Sequence, residues 1–147
     1  MSSFEEELEQ NGTLVFPNKG TSMMPLLREN RDLMVIEKRG PERLRKYDAV
    51  LFKRGESYVM HRILKVRDRD YWVVGDHCRV GESVKDEQIL GVLKQVVRDG
   101  RTIRTTDLGY RLYVHLWCDL FPLRSALLFL KFAAYGAVRK IKRLGKR

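Results

Sequence analysis

Short apolar runs separated by turn residues fill the chain between Thr13 and Thr105. Runs of this kind, rich in β-branched and aromatic residues and bounded by Gly, Asn or Asp, predict β-strands. We predict strands at residues 13–16, 32–38, 47–52, 58–66, 71–74, 89–97 and 102–105, with a loop over residues 75–85. Because no long helical segments separate these strands, the pattern favours a mostly β fold, either barrel-like or a folded-over sheet.

Helical patterns flank this strand-rich region. The segment Ser3-Phe4-Glu5-Glu6 is a capping box, which predicts a short helix over residues 4–10. After Gly109 apolar residues recur at helical spacing, and beyond Phe121-Pro122 a second helix is predicted over about residues 124–140. We therefore expect one domain, with a β core and a short helix in residues 1–109 and a helical, basic appendage in residues 110–147.

The positive charge is concentrated at the C-terminus. Of the formal net charge of +10, six positive charges come from Arg139, Lys140, Lys142, Arg143, Lys146 and Arg147. A basic tail can bind anionic lipid, RNA or an acidic partner, or it can remain solvated. Basic and aromatic residues of this region sort only partly onto opposite helix faces, so we expect a helical clasp on the core. We expect no nucleic-acid partner, and peripheral membrane contact through the basic C-terminus is the alternative.

The distribution of apolar residues bears on location. Residues 1–10 are acidic and lack the apolar segment of a signal peptide. The most apolar stretch, residues 125–138, contains Lys131 and is shorter than the about 20 residues that span a bilayer. Two cysteines imply no disulfide framework and favour a reducing compartment. We expect a cytoplasmic protein, held peripherally at the inner membrane surface if the C-terminus binds lipid.

One serine lies in a turn suited to nucleophilic chemistry. Ser22 belongs to Gly20-Thr21-Ser22-Met23-Met24-Pro25, directly after the first predicted strand. A serine hydroxyl needs a base within hydrogen-bonding reach, and His61 is held in direction by its predicted strand. A carboxylate on the far side of the imidazole would fix its tautomer. Asp76 follows a strand and a glycine, but spacing alone does not choose it over Asp48, Asp70 or Glu82.

Five segments occur in an order that matches a known family. They are Gly20-Thr21-Ser22-Met23-Met24-Pro25, Tyr47-Asp48-Ala49-Val50-Leu51-Phe52, Val59-Met60-His61-Arg62-Ile63, Val74-Gly75-Asp76-His77-Cys78 and Ile89-Leu90-Gly91-Val92-Leu93. In these segments the chain resembles the signal peptidase I-like S24/S26 superfamily of serine peptidases. It is most similar to the branch that pairs serine with histidine. The similarity covers about residues 13–98.

The resemblance implies a function and a set of roles. Ser22 would be the nucleophile, His61 the general base and Asp76 the orienting acid, with Glu82 as the alternative acid. The fold would be the barrel-like β core shared by signal peptidases and LexA-like self-cleaving repressors. The substrate would be an extended peptide or preprotein segment, paired with a strand edge and carrying small side chains before the scissile bond. No metal or cofactor is implied.

The same resemblance assigns residues to substrate positioning. Gly20 stands where some members carry a serine whose hydroxyl helps to form the oxyanion hole. In this chain backbone N–H groups, including that of Ser22, would form the hole, which predicts slow turnover. Met23 and Pro25 complete the box and would position the substrate or pack beneath the site.

Other functions are consistent with parts of the sequence. A catalytically silent module could bind extended peptides or a membrane surface with the same fold. A self-cleaving regulator is disfavoured because no DNA-binding helix-turn-helix pattern precedes the core. The pairs His77-Cys78 and His115–Cys118 have the residue types of a zinc site, but adjacent residues rarely chelate one ion. A Cys78 nucleophile is disfavoured because nothing in the sequence indicates a lowered pKa of its thiol.

Overall fold

The computed structural model describes residues 3–145. Residues 1 and 2 of the predicted β-core segment, and Lys146 and Arg147 of the basic tail, lie outside the described residues. In chain order the elements are α1 (Phe4–Asn11), β1 (Thr13–Pro17), β2 (Asp32–Lys38), β3 (Ala49–Arg54), β4 (Ser57–Val66), β5 (Tyr71–Val74), β6 (Glu82–Val84), β7 (Ile89–Arg98), β8 (Arg101–Arg104), α2 (Leu108–Asp119) and α3 (Phe121–Leu144). A short 3₁₀ turn, Asp86–Gln88, precedes β7.

The eight strands form one antiparallel sheet in the order β1-β2-β7-β3-β4-β5-β6, and β8 pairs with β7. The prediction of a mostly β fold is confirmed. Within residues 3–145 the sheet does not close, so of the two predicted forms, barrel-like or folded-over sheet, a barrel is not shown. Long β7 is central because it pairs with β2 along one edge and with β3 and β8 on the other. β6 lies in the segment that the sequence predicts as loop, residues 75–85.

Among the strand edges that have no β partner within residues 3–145 are one edge of β1 and one edge of the first half of β4. β1 pairs only with β2, so its other edge is free. β4 pairs with β3 from Ser57 to Arg62, whereas β5 pairs only with the part of β4 that begins at Arg62. The first half of β4 therefore has a free edge as well. Backbone N–H and C=O groups on such edges can pair with an added strand.

Helix α1 contacts both of the strands that carry these edges. Its start matches the predicted capping box, because Ser3 Oγ accepts from Glu6 N at 3.2 Å and Glu6 accepts from Ser3 N at 2.9 Å. The Phe4 ring lies 4.7 Å from that of Phe16 in β1 and 4.5 Å from that of Tyr58 in β4. α1 therefore bridges the two strands through aromatic contacts.

The hydrophobic core contains residues from both ends of the chain. The larger of two buried clusters includes Met23, Leu26 and Leu27, which follow Ser22 in the chain. Three residues of α2 are buried in the same cluster, Tyr110, Val114 and Cys118. The turn that carries Ser22 and helix α2 are thus packed into one core, which is the main free-energy source for holding a turn in place.

Helix α3 makes far less contact with the body. Arg124 and Leu128 are its buried residues, and all described residues from Phe129 onward are exposed. With 24 residues it is longer than predicted from sequence, and in length and composition it is the one described helix that could cross a membrane.

Candidate functional site

The turn after β1 holds Ser22 half-buried. Gly20 has φ of +81°, a left-handed conformation that glycine adopts without strain. The buried side chain of Asn18 donates from Nδ2 to the Gly20 carbonyl at 3.2 Å. Met23 is 1% exposed and anchors the turn from below. The peptide bond between Met24 and Pro25 is cis, and Pro25 is exposed.

The segment after β5 fixes the other side of this turn. His77 N donates to the Ser22 carbonyl at 2.8 Å, and Asp76 N donates to Met23 Sδ at 3.4 Å. Gly75 fits so closely that a Cβ there would lie 2.5 Å from the Ser22 carbonyl oxygen. Since real Cβ contacts are longer than this, only glycine fits here without a shift. The serine turn is therefore held by backbone contacts from two separate segments.

His61 lies in β4, opposite Val50 of β3, and its side chain is 9% exposed. Its ring meets that of Phe52 edge-on, with centroids 5.8 Å apart. The Cβ position built on Gly75, which lies 2.5 Å from the Ser22 carbonyl oxygen, lies 3.1 Å from His61 Cδ2. The Cδ2 edge of the ring therefore lies beside Gly75, which itself packs against the Ser22 carbonyl. No hydrogen bond of the Ser22 hydroxyl is formed within residues 3–145.

The opposite edge of the imidazole faces Glu82 in β6. His61 Nδ1 lies 3.3 Å from Glu82 Oε1 but forms no hydrogen bond with any described residue. Arg54 pairs with the same carboxylate, with Nε 3.0 Å from Glu82 Oε2. Burial lowers the pKa of His61, and the negative charge of Glu82 opposes that shift. The ring is thus neutral at pH 7 and able to accept a proton.

Asp76 has a different partner. Its carboxylate forms a bidentate pair with Arg62, with Nε–Oδ1 and Nη2–Oδ2 both at 2.9 Å, and both side chains are buried. Tyr113 donates its hydroxyl to Asp76 Oδ2 at 2.9 Å, and Trp117 Nε1 donates to the Asp76 carbonyl at 2.6 Å. Of the two predicted acids, Glu82 lies against the imidazole. Asp76 belongs instead to a buried hydrogen-bonded cluster with Arg62, Tyr113 and Trp117.

Ser22 and His61 line one groove of about 770 Å³. It lies between β1 and the first half of β4, where both strands have free edges. Its lining is mostly apolar and aromatic, from Phe4, Phe16, Pro17, Met34, Leu51, Tyr58, Val59 and Met60, with Asn18, Lys19, Arg54, Glu56 and Ser57 as its polar members. A concave, apolar groove with a few convergent polar groups is typical of a ligand site.

A backbone donor is available beside the serine. Within the described chain, the N–H of Ser22 donates no hydrogen bond. Gly20 contributes no side-chain donor, and the buried Met23 packs beneath the turn rather than lining the groove. Among the residues that line the groove, Asn18 carries a side-chain amide.

No group of three or more His, Cys, Asp or Glu side chains is placed to hold a metal ion among residues 3–145. Cys78 lies near the serine turn, with Sγ 3.9 Å from the Ser22 carbonyl oxygen. Burial raises the pKa of the Cys78 thiol, so this sulfur is protonated at neutral pH and is a poor nucleophile.

The sequence analysis did not predict the buried hydrogen-bonded cluster around Asp76. Arg62 Nη1 donates to the Tyr47 carbonyl at 2.8 Å and to the Tyr110 hydroxyl at 3.0 Å. The available signal was an arginine inside an apolar strand, since a buried arginine requires an acidic partner. Tyr110 and Tyr113, whose hydroxyls belong to the same cluster, gave no such signal in the sequence.

No protein-family model matches the chain, and no curated protein matches it either.

Proposed function

We propose that the chain is a serine endopeptidase resembling signal peptidase I, with Ser22 as nucleophile and His61 as general base. The observation that carries the proposal is the groove shared by Ser22 and His61, with Glu82 behind the ring. We assign Glu82, the alternative acid of the sequence analysis, as the acid facing His61. Asp76 becomes a positioning residue, since its carboxylate is engaged by Arg62 and Tyr113.

The chemistry proceeds in two balanced steps. Ser22 Oγ attacks the peptide carbonyl while its proton passes to His61 Nε2, and the proton then leaves with the departing amine. Water deprotonated by His61 hydrolyses the acyl-enzyme, releasing the carboxylic acid and restoring the hydroxyl. The imidazolium formed in each step is stabilised by Glu82, which lies 3.3 Å from Nδ1. The N–H of Ser22 is the donor for the oxyanion.

The substrate is an extended peptide or preprotein segment that enters between the two free strand edges. Backbone pairing with β1 on one side and with residues 57–61 on the other would add a strand between them. The carbonyl at the end of such a strand would reach Ser22, which follows β1. Apolar lining such as Met34 and Met60 favours apolar side chains along the bound segment.

A fluorescent serine-reactive phosphonate tests the nucleophile. Covalent labelling of the wild type that is lost in Ser22→Ala and strongly reduced in His61→Ala supports the proposal. Thr21→Ala, one residue away and exposed, is the matched control and retains labelling. Equal labelling of the wild type and Ser22→Ala would refute the assignment.

A catalytically silent peptide-binding module is the second candidate. Two observations favour it. The Ser22 hydroxyl forms no hydrogen bond within residues 3–145, and Gly20 lacks the hydroxyl that would help to form an oxyanion hole. Catalytic hydrogen bonds often form only in the substrate complex, so we rank this candidate second. Binding of an extended peptide by both the wild type and Ser22→Ala, with no labelling of either, would favour the module.

A further inference from the structure

The exposed part of α3 presents an apolar stripe. Beyond Leu128 the helix contacts little of the body, yet its surface remains rich in large apolar side chains. One face, at intervals of three or four residues, consists of Leu123, Leu127, Leu130, Ala134, Val138 and Ile141, and the exposed aromatic residues Phe129, Phe132 and Tyr135 lie outside it. Leu127 is 58% exposed, Leu130 61% and Ile141 68%. A continuous apolar surface of this length indicates a binding face.

Some of the basic residues lie on a different side of the same helix. The two buried residues, Arg124 and Leu128, mark the side that faces the β body. Helical spacing continues that side through Lys131, Arg139 and Lys142. α3 contains no acidic residue. The helix thus combines an apolar face directed away from the body's contact side with flanking positive charge.

This arrangement fits the surface of an anionic bilayer. An interfacial helix buries its apolar face at the boundary of headgroups and acyl chains, while lysine and arginine bind anionic headgroups. A spanning helix would place Lys131 in the hydrocarbon region, at a high free-energy cost. Stacking with a second copy would bring two cationic helices together without an acidic partner on either.

We propose that α3 binds an anionic lipid bilayer in the plane of its surface through the stripe Leu123–Ile141. The body contacts of α3 connect this surface to the candidate site. Arg124 Nη2 lies 3.5 Å from the Cys78 carbonyl oxygen, and the Arg79 guanidinium lies 4.7 Å from the centre of the Phe129 ring. The same segment holds Ser22 through His77 N. Lipid binding therefore brings the segment that holds the serine turn close to the membrane surface, whether or not Ser22 is a nucleophile.

Co-sedimentation of the full chain with vesicles tests the proposal. The probes are vesicles of phosphatidylcholine alone and of phosphatidylcholine mixed with phosphatidylglycerol. We expect binding to the mixed vesicles, weakened by salt, and little binding to the neutral ones. The double variant Leu127→Gln/Leu130→Gln should lose about tenfold or more in apparent affinity. Lys142→Gln should reduce the apparent affinity for the mixed vesicles on the order of fivefold.

The matched control removes two exposed aliphatic side chains from the sheet. Val15→Gln/Leu33→Gln changes residues that are 57% and 41% exposed, and it should bind vesicles as the wild type does. Thermal unfolding followed by circular dichroism verifies that both double variants fold.

Four results would overturn the proposal. Binding that is equal on neutral vesicles, or absent from both, would exclude an electrostatic lipid surface. Resistance to extraction by high salt and alkaline carbonate would indicate a spanning helix. A dimer in the absence of vesicles, abolished by Leu127→Gln/Leu130→Gln, would identify a second copy as the occupant of the stripe.

Discussion

Arg62 and Asp76 form a fully buried, bidentate ion pair that joins β4 to the segment after β5, with both N–O distances at 2.9 Å. Asp76 stands next to His77, whose N–H holds the Ser22 carbonyl. The pair thus positions the serine turn without contacting its hydroxyl. The carboxylate that lies against the imidazole is that of Glu82.

Removing one charge of this pair should lower the free energy of unfolding. Asp76→Asn leaves the Arg62 guanidinium buried without a compensating charge, and such a change typically costs about 3–5 kcal/mol of unfolding free energy. Urea denaturation measures it. Glu9→Gln is the control, because its partner Lys38 and Glu9 itself are solvent-exposed and the pair should contribute less than about 1 kcal/mol. Equal stability of Asp76→Asn and Glu9→Gln would contradict a structural role for the buried pair.

Glu82→Gln tests which acid assists His61. Burial lowers the pKa of His61 and Glu82 opposes this, so removing the carboxylate should lower that pKa further. A base acts when neutral, so the rate of serine labelling rises with pH through the pKa of His61. We expect the midpoint of this rise to move to lower pH, and the maximal rate to fall on the order of 100-fold because the imidazolium loses its counter-charge.

Glu56→Gln is the matched control for this experiment, since Glu56 lines the groove but no ion pair joins it to His61 among the described residues. It should leave both the midpoint and the rate unchanged. A pH–rate profile of Glu82→Gln that superimposes on that of the wild type would remove Glu82 from the mechanism.

Much of the sheet follows from local sequence pattern. The run of apolar residues in Asp32–Lys38 predicts β2 with its observed bounds. Other bounds shift for identifiable reasons. Tyr47 adopts φ of +82°, which is incompatible with a strand, so β3 begins at Ala49 rather than at Tyr47. α3 continues to Leu144 because lysine and arginine are good helix formers, although they end the apolar pattern.

The arrangement around the site depends on contacts between distant residues, which local pattern does not encode. β6 has three residues, Glu82, Ser83 and Val84, too few for a periodic signal, and it forms by pairing with β5. That pairing is what brings Glu82 to His61. The choice of Arg62 as partner of Asp76 likewise follows from the register that sets Arg62 opposite Val74. The sequence supplied the candidate residues, and the sheet register determined their partners.

Gly75→Ala tests the close packing behind Ser22. A Cβ at this position would lie 2.5 Å from the Ser22 carbonyl oxygen and 2.6 Å from Cys78 Sγ, so the serine turn must shift. We expect serine labelling to be lost and the unfolding free energy to fall by about 1–3 kcal/mol. In Gly109→Ala, the control, the added Cβ meets nothing within 4 Å in the first turn of α2. Serine labelling of this variant should equal that of the wild type, and its unfolding free energy should rise by up to about 1 kcal/mol. Normal labelling of Gly75→Ala would show that the turn tolerates displacement.

Asp32 gives the stability a defined dependence on pH. Its carboxylate is buried, which by itself raises the pKa, but hydrogen bonds from Arg31, Arg98 and the N–H of Arg28 outweigh this and hold the pKa well below the ordinary value of 3.8. A carboxylate with a lowered folded-state pKa contributes its full stabilisation above the unfolded-state value and loses it as pH falls below that value. We therefore expect Asp32→Asn to be less stable than the wild type at pH 7. The difference should shrink as the pH falls from about 4, because the unfolded wild type then binds a proton at Asp32 that the folded protein does not bind. Urea denaturation of both proteins across this range measures the difference, and a constant difference down to the lowest pH at which the wild type folds would contradict the role of the carboxylate charge.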